Sequence, residues 1–199
     1  MIKLQIDSES KKKALIIQGL SNLLDKKVMI LDLDHPSRQL EYGLGVEDLI
    51  VYDILDLLSG TCDLEKAKIG VNERVDLLAS SIKPEKYDSD LQDYKDLLED
   101  LESQGYDYVI FTKNPGLVMD ERLAWGDIES YSTEKIYQIV DNKRSSDATF
   151  IGRLTYKDRY DLMIDSYSDT VDDDLKEVLD NYINKKEAKL SLLDRIFRR

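Results

Sequence analysis

Short apolar runs rich in β-branched residues recur along the chain: IKLQI at 2–6, KVMILDL at 27–33, VDLLAS at 75–80, YDYVIFT at 106–112 and ATFIGRL at 148–154. Each has the length of a strand, and the nearly continuous ones suit a sheet covered on both faces. Between them the apolar spacing becomes helical. Residues 10–24 place Ala14, Ile17, Leu20 and Leu24 on one stripe, 88–103 place Leu91, Tyr94, Leu98 and Leu101, and 171–183 place Val171, Leu175, Val178 and Tyr182. Strand then helix, repeated, predicts parallel βαβ units: an α/β fold with a mostly parallel twisted sheet between two layers of helices.

Composition narrows this picture. A length of 199 residues with 42% hydrophobic content, nine glycines and three prolines predicts one domain with a sizeable core. The formal charge of −13 argues against non-specific nucleic-acid binding, which depends on Lys and Arg neutralising phosphates. One cysteine, Cys62, forms no internal disulfide, the start lacks the apolar core of a signal peptide, and no long apolar run suggests a membrane span; the expected compartment is the cytoplasm. The charge is uneven. Residues 185–199 hold six basic and two acidic side chains, a balance of +4, which leaves −17 on residues 1–184.

Three features invite a chemical reading. Asp172, Asp173 and Asp174 suggest a metal cluster, but first-turn acids behind a Thr170 N-cap are the plainer expectation. His35 stands alone as histidine, beside Pro36, and is expected to be a loop residue; Trp125 is expected in the core. The third is IKLQIDSESKKKALIIQGL at 2–20, a strand, a polar turn and an amphipathic helix. That is the layout of a phosphate-binding loop, yet the turn has no glycine.

From Asp25 to Ile69, DKKVMILDLDHPSRQLEYGLGVEDLIVYDILDLLSGTCDLEKAKI, and on through VDLLASS and YDYVIFTKNPG to Gly116, the sequence resembles the MinD/ParA family of deviant Walker ATPases, its MinD and FlhG branches in particular. The resemblance implies a P-loop NTPase-like fold of the SIMIBI type. It places the family's switch aspartates at Asp32 and Asp34, although carboxylates merely left at the end of a parallel strand are an equally good account. Carried back to the first motif, it puts Lys13 where the loop lysine reaches the phosphates and Ala14 where a hydroxyl should hold Mg²⁺. Asp7, Glu9, Ser10 and Lys12 fall on glycines and Ser8 on the family's extra lysine. Glycine lets backbone N–H groups turn in on the phosphates, and a carboxylate there adds repulsion. Lys13, in that setting, is expected to be a solvated helix lysine. Thr112 stands where an Asp orders the metal shell. Lys13, Asp32 and Asp34 are thus expected to be a vestigial nucleotide site, with no catalytic residue and no metal, and ATP with Mg entering only if the loop rearranges.

Beyond Gly116 the resemblance thins. One clear strand, 148–154, is visible where the family usually adds two further strands with adenine contacts, so a truncated fold without a base pocket is expected. The last segment, KKEAKLSLLDRIFRR, sets Leu190, Leu193, Ile196 and Phe197 on one helical face with Lys189, Arg195, Arg198 and Arg199 at its margins. It resembles the family's membrane-targeting C-terminal helix, and a short basic amphipathic helix suits an anionic bilayer surface.

The organisation expected is therefore a MinD-like domain over 1–184 and a basic amphipathic helix over 185–199. The function expected is a non-catalytic adaptor on the inner face of the cell membrane, in division-site, flagellar or pilus positioning. A single short tail binds marginally, so a homodimer or a heterodimer with an intact MinD/FlhG-like ATPase is the expected assembly. The competing readings are a residual ATP-binding ATPase and a soluble module whose tail packs into a partner groove.

Overall fold

The computed structural model describes residues 1–126, 135–140, 145, 147–154 and 173–188. Eight strands form one sheet in the order β3-β4-β2-β5-β1-β6-β7-β8. They are β1 (Ile2–Asp7), β2 (Val28–Leu31), β3 (Lys68–Asn72), β4 (Val75–Leu78), β5 (Tyr108–Phe111), β6 (Glu121–Trp125), β7 (Lys135–Val140) and β8 (Thr149–Arg153). All neighbours pair in parallel except β3 and β4, which are antiparallel. The doubly covered, mostly parallel α/β architecture expected from the alternating pattern is the one observed.

Side-chain alternation sorts the core into two halves, as a pleated strand buried on both faces requires. On β2, Val28 and Ile30 join Leu4, Ile6 and Ile110 on one side, while Met29 and Leu31 join Val109 and Phe111 on the other. The first face is covered by α1 (Ser10–Leu23), α2 (Gln39–Leu44) and α6 (Asp173–Ile183). The second is covered by α3 (Ile54–Leu58), α4 (Leu64–Ala67) and α5 (Leu91–Ser103). Ala14, Ile17, Leu20 and Leu24 are all buried, as is Trp125 at 3% exposure. Two helices start on reciprocal caps: Asp53 with Asp56 opens α3, and Asp90 with Asp93 opens α5. Lys86 bridges both carboxylates of the first pair, at 2.7 and 2.6 Å.

The expectation of one strand after Gly116 is corrected: β6, β7 and β8 all follow it. Their sequences hide the fact, because ERLAW and KIYQIV carry Glu121, Arg122 and Gln138 into buried positions. Leu91 also departs from its predicted place, lying 40% exposed at the start of α5. Asp173 and Asp174 occupy the first turn of α6, as expected. Thr170 and Asp172 lie outside the described residues, and so do Lys189, Leu190, Leu193, Arg195, Ile196, Phe197, Arg198 and Arg199. Among the described residues no helix is long and apolar enough to cross a membrane.

Candidate functional site

Parallel strands bring their carboxyl ends to one rim of a sheet, and the loops leaving that rim are where such folds place chemistry. Here β1, β2 and β5 are adjacent and deliver Asp7, the segment Asp32–Asp34, and Thr112. Helix α1 leaves β1 after only two residues, Ser8 and Glu9, and presents Lys13 to the same rim.

These groups bond to one another. Lys13 Nζ donates to Asp34 Oδ2 and, at 2.9 Å, to the Thr112 carbonyl. The Thr112 hydroxyl donates to Asp32 Oδ1 at 2.7 Å and accepts from the Leu33 amide at 2.8 Å. The Asp34 amide donates to the same Asp32 oxygen at 3.1 Å. Lys13, at 9% exposure, is therefore an interior cation, which corrects the expectation of a solvated helix lysine. Its ammonium shares the space with a carboxylate because an unpaired charge so nearly buried would cost several kcal/mol. Lys13, Asp32 and Asp34 are brought together as the sequence suggested, around a cavity of about 10 Å³ that Ser37, Gln39 and Leu40 complete. That volume holds at most one water.

Asp32 is 1% exposed, and its pKa is pushed up from 3.8 to about 7, first by burial and then by the nearby Glu41 charge; the Thr112 hydroxyl and Asp34 amide oppose the rise. Glu41 itself is fully buried, accepting the Ser80 amide at 2.7 Å through Oε1. His35 accepts the Ser81 amide on Nδ1 at 2.8 Å, and burial lowers its pKa. This bonded, half-buried histidine fits the expected loop role.

The turn between β1 and α1 is equally committed. Glu9 is the N-cap residue, and its carbonyl accepts the Lys13 amide at 2.9 Å, so residues 10–13 are already the first turn of a helix. None of the positive-φ backbone positions of the described residues falls between 7 and 14. The Asp7 carboxylate pairs with the fully buried Arg122 of β6, the Ser8 hydroxyl donates to the Trp125 carbonyl at 3.1 Å, and the Lys12 ammonium lies 5.5 Å from the centre of the Trp125 ring. Arg122, Glu41 and the bridging role of Thr112 went unnoticed in the sequence. A charged pair inside an otherwise apolar five-residue run, Glu121–Arg122, is the one signal that could have revealed the first. A larger cavity, about 730 Å³, lies away from this rim between β8 and α6, where Asp174, Glu177 and Glu187 stand beside Arg153 and Lys186.

A parallel sheet with β1 at its centre, helices on both faces and a lysine-bearing helix directly after that strand define the P-loop NTPase fold class. The fold superimposes on a chain of the MinC:MinD cell division protein complex of Aquifex aeolicus with a TM-score of 0.73, at 18% identity, over 96% of this chain and 98% of that one. Against the septum site-determining protein MinD of Pyrococcus horikoshii, complexed with Mg-ADP, the TM-score is 0.62 at 15% identity over 95% and 99%. By sequence, the chain is 30% identical over 100 residues to the septum site-determining protein MinD of Bacillus subtilis. That match takes in 48% of this chain and only 36% of the relative. No protein-family model matches the chain. The chain is thus similar in sequence to MinD proteins over about half its length, spans about a third of the length of those curated relatives, and shares the fold of MinD and ParA-type chains.

Proposed function

We propose that the chain is a MinD-like protein that does not turn over ATP and acts as an adaptor at the cell membrane, in the placement of a division site, a flagellum or a pilus. The observation that carries the reading is the direct β1–α1 junction: Ser8 and Glu9 alone join strand to helix, and the Lys13 ammonium is already held by Asp34 and Thr112. A triphosphate needs several amides turned towards it, a hydroxyl and a carboxylate for the metal, and a free lysine. In this chain the amide of Lys13 is spent within the helix, position 14 is an alanine, and Thr112 has no charge to offer. The residues present do not fit Mg-ATP.

A second reading, residual ATP binding, draws support from the convergence of Lys13, Asp32 and Asp34 and from the Mg-ADP seen with the Pyrococcus relative. Calorimetry with Mg-ATP decides between them. We expect no heat at micromolar concentrations; a micromolar affinity that disappears in Lys13→Ala overturns the adaptor reading. The MinC:MinD complex of Aquifex suggests the kind of partner to look for, a second MinD-like chain or a division protein bound to it. Membrane attachment through Lys189, Leu190, Leu193, Arg195, Ile196, Phe197, Arg198 and Arg199 belongs to the same proposal, as does assembly into a homodimer or a heterodimer.

A further inference from the structure

At the rim opposite the Lys13 site, α6 ends on an unusual residue. Lys185 has φ +54, the sole non-glycine with positive φ among the described residues. Its amide returns to the Tyr182 carbonyl at 3.0 Å and the Lys186 amide to Asn181 at 2.8 Å, a Schellman-type end. Glycine is the usual occupant of that position because an L side chain is disfavoured there. A lysine in its place needs a compensating interaction, and the structure supplies one. Lys185 Nζ donates to the buried Glu121 carboxylate at 2.6 Å and stands 4.1 and 4.8 Å from the ring centres of Tyr182 and Tyr137. The two rings meet edge to face at 5.0 Å, and the Tyr182 hydroxyl donates to the same Glu121 oxygen at 2.6 Å. An ammonium between two aromatic faces and a carboxylate is a strong cation seat. Directly afterwards the chain lies along the outer side of β8, where the Ala188 amide donates to the Phe150 carbonyl at 2.8 Å.

We propose that Lys185 is a latch: its seat among Glu121, Tyr137 and Tyr182 fixes residues 186–188 on the edge of β8. Released, residues 186–188 would free roughly 10 Å of chain at about 3.5 Å per residue and would give up the Ala188 bond to the β8 edge. The consequence for membrane attachment rests on the preceding reading of the tail; the latch itself does not.

Hydrogen exchange on the full chain tests it at the Lys186 and Ala188 amides. Lys185→Gly and Lys185→Met are expected to speed exchange there at least about tenfold, the loss that follows removal of a charge-assisted hydrogen bond. Amides of β1 and β5 should keep their rates, and Lys185→Arg should stay near the parent. Unchanged or slower exchange in Lys185→Gly overturns the proposal, since an ordinary left-handed cap position predicts that result. Glu121→Gln, which keeps the acceptor and removes the charge, is expected to reproduce the local gain; a gain spread over the whole sheet counts against the latch. Sedimentation with phosphatidylglycerol vesicles separates the two readings. Lost Ala188 protection in a protein that never sediments leaves the latch standing and the membrane reading fallen. Unaltered protection in one that does sediment leaves the membrane reading standing and the latch fallen.

Discussion

Asp32 shows how strongly one carboxyl at the end of a strand depends on what surrounds it. Its unfolded pKa is near 3.8 and its folded one about 7, so between those limits the native chain holds a proton that the unfolded chain has released. Stability from this group is therefore greatest at the acidic end of the window and falls as pH rises from about 4 to about 7, by at most about 1.4 kcal/mol per pH unit. Asp32→Asn should remove that slope. Urea titrations at intervals between pH 4.5 and 7.5 should show the variant gaining on the parent as pH rises, and parallel curves would refute the assignment. The sequence made Lys13, Asp32 and Asp34 legible as a convergent trio, because their spacing from the strand ends survives. It could not show Thr112 as the bridge between them, since a hydroxyl acquires that role only once β2 and β5 lie side by side.

At the level of elements, β8 and α6 approach more closely than an ordinary side chain allows. A β-carbon on Gly152 would lie 2.3 Å from Val178 Cγ2 and 3.2 Å from Val178 Cβ, so Gly152→Ala must push the helix outwards. Overpacking of this kind costs about 1–3 kcal/mol, and a lowered urea midpoint with an unchanged slope is the expected result. Gly152→Ala with Val178→Ala should recover part of it. Of the five strands that the sequence revealed, β2 and β5 are uninterrupted apolar runs, VMIL and YVIF, while β1 and β4 leave their polar residues Lys3, Gln5 and Asp76 half-buried. Of the three it concealed, β3 is the short edge strand KIGVN, and β6 and β7 carry polar side chains that tertiary contacts satisfy: Glu121 meets Tyr182 and Lys185, Arg122 meets Asp7, and Gln138 donates to the Gly126 carbonyl at 2.8 Å. A buried polar group looks like a loop residue until its partner is known. The short helices α2, α3 and α4 were missed for another reason, being too brief to display a helical period.

For the molecule as a whole, the uneven charge governs how it meets a surface. A −17 body opposes an anionic bilayer, while each basic residue of the last segment attracts it by on the order of 1 kcal/mol. On the proposed membrane attachment, sedimentation should show binding to anionic vesicles, little to neutral ones, and a steep loss as ionic strength rises. Combining Ile196→Glu with Phe197→Glu should abolish it, and salt-insensitive association would instead favour a protein groove. The strand order carries one more consequence. The first strand of the chain lies between the fifth and the sixth, with Ile2 beside Tyr108 and Leu4 beside Glu121. A ribosome making this protein thus releases more than half of it before that strand finds either neighbour. The nascent apolar segment must wait, exposed, for contacts distant in sequence, which favours slow folding.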